Sequence, residues 1–333
     1  MKRKLIYVAF LVLSVVACKG QKEQVKVDNE FPLVKVPGMI TSQQDAVNYV
    51  VKNYWRQFLD RERLSKVKDL STQMDRASRK GYVLGVDTNK FEQAFTDYSV
   101  ALVMLQQMDY ERTCSSVKEL FQKADSIALA GDSTFLFRLM TLGEKYFYDP
   151  NSPYLNEEVY IPVVEGVLAS KAIGELDKMQ YEYQLRIAQL NRKGTQAADF
   201  QYEKADGSKG SLYDIKGDYT LIFFNNPDCP SCAEIREALQ SVPEIEKMAT
   251  SGRLKVLAMY IDEQIEPWRN NKAKYPSNWI YARDPTRTLR DNTLYGLRAI
   301  PSLYLLDKDK KVLLKDAGVQ AVLGYFDNLR VQN

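Results

Sequence analysis

Four cysteines occur in this 333-residue chain, and two of them stand three apart in the tetrad Cys229-Pro230-Ser231-Cys232. Such a pair can serve as a redox dithiol, as half of a metal site, or as a structural disulfide. A structural zinc site takes four Cys or His ligands. The chain has no histidine, and with the N-terminal Cys18 set aside as a candidate lipid anchor Cys114 is the one thiol left to help, so no metal and no cofactor is expected. A disulfide between residues i and i+3 closes too small a loop to stabilise much. Reversible dithiol chemistry is what these residues fit best. The missing histidine also removes Ser-His and Cys-His catalysis and any histidine pH switch.

The compartment bears on that reading. "MKRKLIYVAFLVLSVVAC" has a basic start and an apolar run from Leu5 to Ala17. That run is shorter than the roughly 20 residues of a membrane-spanning helix, and it reads as an export signal. Its ending "VVAC" resembles a bacterial lipobox, which implies lipidation of Cys18; an ordinary signal peptide with an incidental cysteine is the alternative. Residues 1–17 are thus expected to be a lipoprotein signal peptide and 18–40 a polar tether. Lys19 after the cysteine leans, by resemblance to lipoprotein sorting, towards the outer membrane. The expected location is the cell envelope, where disulfides persist. The net charge of +3 comes from Lys2, Arg3 and Lys4. Beyond them basic and acidic side chains balance, which gives no case for nucleic-acid binding.

Residues 41–193 read as a helical domain. Thr41 and Ser42 are candidate N-caps, and Val47, Val50, Val51, Tyr54, Trp55 and Phe58 recur at spacings of three and four. Further helical patterns run over 88–108, 112–130, 133–147, 156–170 and 173–192. "YWRQFLD" and "NSPYLNEEVYIPVVEGVLAS" resemble an uncharacterised helical domain that precedes thioredoxin-like domains in bacterial lipoproteins; that resemblance brings no chemistry with it. The aromatics read as core, with a peptide-binding groove as the alternative. Cys114 reads either as a small core thiol or as a partly exposed thiol that pairs with another chain.

Residues 197–333 alternate strand and helix patterns, the mark of an α/β fold. Asp206-Gly207 sits at a hairpin turn. "YTLIFFNN" and "RLKVLAMYID" read as buried strands, "WIYARD" as a short one, and "TRTLRDNTLYG" as helical. "SCAEIREALQSVPEIEKMA" reads as a helix restarted at Pro243. "PSLYLLDKDKKVLLKD" supplies two strands, and "VQAVLGYFDNLR" closes the chain as a helix.

This order, with CxxC at a helix start and Ile300-Pro301 before a hairpin, resembles the thioredoxin fold. Asp199-Phe200, Asp206-Gly207, Leu212 and Gly217 resemble the opening of TlpA-type thioredoxin-like reductases and their peroxiredoxin relatives. The fold class that follows is an N-terminal all-helical domain and then a thioredoxin-like domain, a central mixed sheet flanked by helices. The resemblance implies Cys229 as nucleophile, its thiolate favoured by the helix N-terminus, and Cys232 as resolving thiol. Pro230 fits the first helical turn, and a cis-Pro301 would expose the Ile300 backbone to an extended substrate.

The implied activity is thiol-disulfide exchange, reduction favoured over oxidation. Disulfide or thiol proteins are the implied substrates, with an upstream electron donor or acceptor protein. The alternative is a non-catalytic binding lipoprotein on a thioredoxin-like scaffold.

Three positions depart from the relatives. Ile235 and Glu237 stand where TlpA-type proteins have the glutamate and proline of CxxCxxExP, and Phe223 stands where thioredoxin has its buried aspartate. Asp228 is a candidate substitute proton acceptor or a solvated turn residue. Its charge beside Cys229 opposes thiolate formation. A peroxidatic Thr/Ser-x-x-Cys setting is missing, since Pro227 and Asp228 precede Cys229.

Overall fold

The computed structural model describes residues 30–73, 81–291 and 293–332; the expected export segment, Cys18 and the start of the tether lie outside the described residues. The helical half contains α1 (Gln43–Asn53), α2 (Arg61–Gln73), a hairpin of β1 (Tyr82–Val83) and β2 (Val86–Asp87), α3 (Thr88–Met108), α4 (Tyr110–Leu129), α5 (Thr134–Phe147), α6 (Glu157–Ala169) and α7 (Glu175–Gln189). Short polar side chains start these helices by taking up N–H groups that lack an intrahelical acceptor. Ser42 Oγ accepts from Asp45 N–H at 3.0 Å, and Asp109 Oδ1 from Arg112 N–H at 2.9 Å.

Two features depart from the expected pattern. The first helix stops at Asn53, and residues 54–59 continue as turns. Tyr54, Trp55 and Phe58 nevertheless all face the core, where Tyr54 Oη donates to the Ala94 carbonyl at 2.6 Å. The half is also not purely helical. Leu84 (φ 44°) and Gly85 (φ 81°) form the tight turn of a two-residue hairpin, whose twist asks for positive φ at both central positions. Leu84 is buried there, so packing holds a leucine where glycine or asparagine would be expected.

Aromatic rings form much of this core. Trp55 meets Tyr98 and Phe135 with ring centroids 5.1 and 5.6 Å away. Phe31, from the stretch expected to be tether, stacks on Phe58 at 5.0 Å and is only 8% exposed. The end of the tether is therefore part of the folded domain.

The C-terminal half holds β3 (Gln201–Lys204), β4 (Lys209–Ser211), β5 (Tyr219–Asn225), α8 (Pro230–Ser241), α9 (Pro243–Thr250), β6 (Leu254–Tyr260), α10 (Ile265–Asn270), β7 (Ile280–Arg283), α11 (Thr288–Asp291), β8 (Ser302–Asp307), β9 (Val312–Ala317) and α12 (Val319–Gln332). The strands make one seven-stranded sheet in the order β4-β3-β7-β6-β5-β8-β9. Pairs β5–β6 and β6–β7 are parallel and the others antiparallel.

Side chains alternate across a strand, so β5 feeds both faces. Leu221 and Phe223 join the core that holds Cys232 and Leu239 of α8, and Ile222 and Phe224 join the core with Phe200 and Tyr295. Both faces are covered, which explains the uninterrupted apolar run of "LIFF". The expected helix over 286–296 shortens to Thr288–Asp291.

The expected gap between domains at 194–196 is structured. Gly194 N–H donates to Val312 O at 2.7 Å and Ala197 N–H to Lys310 O at 2.9 Å, so this segment runs beside the start of β9.

Candidate redox site

The thiols sit where β5 gives way to α8. Cys229 is the N-cap of α8, with Pro230 in the first turn, where the missing N–H costs no intrahelical bond. Its N–H donates to Asn226 O at 3.1 Å, and its Sγ accepts from Cys232 N–H at 3.4 Å. Cys229 is half-buried, and Cys232 is 1% exposed. One turn of helix therefore puts an accessible sulfur at the N-terminus and a covered one behind it.

Cys232 is pushed up to about 12, first by burial and then by its hydrogen bond to Cys229. The Asp262 charge adds to that rise, while the Asn226 N–H works against it.

The second loop comes from β8. Ser302 pairs with Phe224 in the β5–β8 ladder, so Pro301 lies beside the end of β5 that leads into Cys229. The Ile300–Pro301 bond is cis. Ile300 is partly buried against both faces' cores, and one of those clusters also contains Cys229 and Cys232. The structure thus brings together Cys229, Pro230, Cys232, Ile300 and Pro301.

Asp228 is less engaged. It is exposed, and its Oδ1 accepts from Asn271 Nδ2 at 3.4 Å. Glu234 is exposed as well, while Ile235 and Phe223 pack into the core around Cys232. Neither the thioredoxin nor the TlpA carboxylate position offers an acid here.

Polar groups that the sequence did not single out lie near the pair instead. Tyr275 Oη donates to Asn225 Oδ1 at 2.6 Å. The Arg236 guanidinium, one turn beyond Cys232, lies 5.2 Å from the Tyr275 ring centroid. Burial pushes Tyr275 up to about 12. Asp262 closes the other side, its carboxylate accepting from Asn226 Nδ2 at 2.5 Å. The i,i+4 spacing of Cys232 and Arg236 is readable in sequence; the approach of Tyr275 and Asp262 depends on the sheet.

Cys114 is half-buried in α4, far along the chain from the pair, and burial raises its thiol. Among the described residues no group of three or more Cys, Asp or Glu side chains could hold a metal ion. A cavity of about 1010 Å³ opens between α1 and α4, lined by residues including Tyr49, Trp55, Arg56 and Arg112. None of its lining residues belongs to the thiol site.

A mixed sheet, an N-capping cysteine with a covered partner, and an adjoining X-Pro loop define a thioredoxin-like thiol-disulfide oxidoreductase fold. The chain belongs to the thioredoxin-like proteins, with an AhpC/TSA-family domain at residues 193–315 behind a domain of unknown function, DUF5106, at 78–191. It is similar to a thioredoxin-like protein from Bacteroides caccae of known crystal structure. The two are 34% identical, with 89% of this chain and 97% of that chain covered and a TM-score of 0.74.

The C-terminal domain of an uncharacterised Bacteroides fragilis protein is 44% identical over 40% of this chain and 96% of its own, with a TM-score of 0.40. Nucleoredoxin from Xenopus laevis is 27% identical over 109 residues, 32% of this chain. The match spans about a quarter of the length of that relative and of its counterparts.

Proposed function

We propose that this chain is a lipid-anchored, extracytoplasmic thiol-disulfide oxidoreductase that works as a reductase. The observation that carries the reading is the asymmetry of the pair: Cys229 half-buried at the α8 N-terminus, Cys232 covered behind it. A thiolate at a helix N-terminus is stabilised by the orphan N–H groups and the helix dipole.

In the reductive direction, the Cys229 thiolate attacks one sulfur of a substrate disulfide. The substrate S–S bond breaks, a Cys229–substrate mixed disulfide forms, and the released thiolate takes up a proton. Cys232 then loses its proton and attacks Cys229 Sγ. That step forms the Cys229–Cys232 disulfide and releases the second substrate thiol, so two electrons pass from the dithiol to the substrate. An upstream donor protein restores the dithiol by the reverse exchange.

The reading of a cell-envelope location is supported by the basic and apolar N-terminal run, lipid on Cys18 by the lipobox-like ending VVAC, and the outer membrane by Lys19 after it. Substrates are disulfide-bearing proteins of that compartment. Trapping tests the assignment: Cys232→Ser should accumulate mixed disulfides on Cys229 that dithiothreitol releases. Absence of adducts on that variant, with adducts on Cys229→Ser instead, would reverse the two roles.

A further inference from the structure

Glu157 lies in the first turn of α6, in the helical half, yet its side chain is only 9% exposed and faces two cations of the other half. Arg298 Nη2 lies 3.3 Å from Glu157 Oε1, and Lys315 Nζ lies 2.6 Å from Oε2. Lys315 also donates to the Ala188 and Leu190 carbonyls at the end of α7, at 2.9 and 2.5 Å. A cation at a helix C-terminus satisfies orphan carbonyls and complements the dipole.

Arg298 stands two residues ahead of Ile300. It donates to Asp316 Oδ2 at 2.7 Å and to the Tyr148 carbonyl, with its guanidinium carbon 4.4 Å from the Tyr148 ring centroid. Asp316 accepts in turn from Ser302 Oγ at 2.8 Å, and Ser302 follows Pro301. Both flanks of the Ile300–Pro301 loop are thereby tied to one carboxylate. Through Arg298, that tie continues to Glu157 and Tyr148 of the helical half.

The four ionised groups balance, two of each sign. Burial pushes Glu157 up and Lys315 down, and each is opposed by its partners. Removing one member leaves a buried charge uncompensated.

We propose that Glu157, acting through Arg298 and Asp316, is a positioning residue for the Ile300–Pro301 loop, so that the helical half holds this loop ready for an extended, disulfide-bearing polypeptide. The inference rests on the dithiol reading above. β8 begins its ladder at Ser302, which leaves the Ile300 backbone ahead of the ladder and beside the thiol helix. A polypeptide substrate can use that backbone edge as well as Cys229. A small disulfide needs Cys229 alone.

The test compares insulin with the small aromatic disulfide dithiobis(nitrobenzoate) as oxidised substrates for full-length wild type and Glu157→Gln. The expected result is an insulin KM raised about fivefold or more, with kcat and the small-disulfide rate held within about twofold. An unchanged insulin KM, or equal loss with both substrates, overturns the proposal. Wild type inert towards both substrates overturns the dithiol reading itself. If the single variant fails to fold, the charge-balanced double variant Glu157→Gln with Lys315→Met should show the same raised KM; a wild-type KM in it overturns the proposal.

Discussion

The backbone N–H of Cys232 donates to Cys229 Sγ across 3.4 Å. A single helical turn thus supplies both the second thiol and a donor for the first. The two sulfurs experience different surroundings: Cys229 has the helix terminus and partial access to solvent, whereas Cys232 is buried and pushed up to about 12.

That difference predicts ordered alkylation. In the reduced protein at pH 7, iodoacetamide should modify Cys229 at least about tenfold faster than Cys232, since the thiolate is the reactive form. Peptide mass spectrometry over time reads both rates. Faster labelling of Cys232 would contradict the assignment.

The resolving step should quicken with pH. Attack needs the Cys232 thiolate, and its raised value leaves the thiol protonated at pH 7. Release of substrate from a preformed Cys229 mixed disulfide should therefore accelerate from pH 7 to 9, by up to about tenfold per unit. A flat profile would show that proton loss from Cys232 does not limit release.

Asp262 adds negative charge near Cys232. Asp262→Asn should speed alkylation of Cys232 while leaving the order of labelling intact. Slower labelling would show that the carboxylate aids thiolate formation by another route.

Phe31 gives a stability prediction. It is buried against Tyr54, Trp55 and Phe58, and Phe→Ala in a packed core costs about 3–5 kcal/mol. Its place at the domain edge points to the lower end, about 3 kcal/mol. Denaturant unfolding followed by fluorescence measures this, and a loss under about 1 kcal/mol would show that the segment is dispensable tether.

Much of the architecture was legible in the sequence, for identifiable reasons. The long helices 88–108 and 133–147 announce themselves by apolar periodicity, and Pro243 marks the break between α8 and α9. The thiol pair needed only its spacing and Pro230. What stayed hidden depended on packing. α2 reads as charged and nearly featureless, and Phe31 opens a short apolar, Pro-flanked run with no helical period just after a polar stretch.

The β1–β2 turn lacks an Asn-Gly or Asp-Gly signal because tertiary contacts hold Leu84 in place. Around the thiols, Phe223 and Ile235 correctly signal that the usual carboxylates are missing. Tyr275, Asp262 and the Glu157–Arg298 contact are separated from Cys229 by tens of residues, and the sheet and the domain boundary bring them near.

Exchange of the dithiol with protein disulfides is expected to run through Cys229. Insulin disulfide reduction, with dithiothreitol as the electron source, compares wild type with Cys229→Ser most directly. The account predicts clear turnover by wild type and a fall of about a hundredfold or more in the variant. Equal, low turnover in both would contradict it.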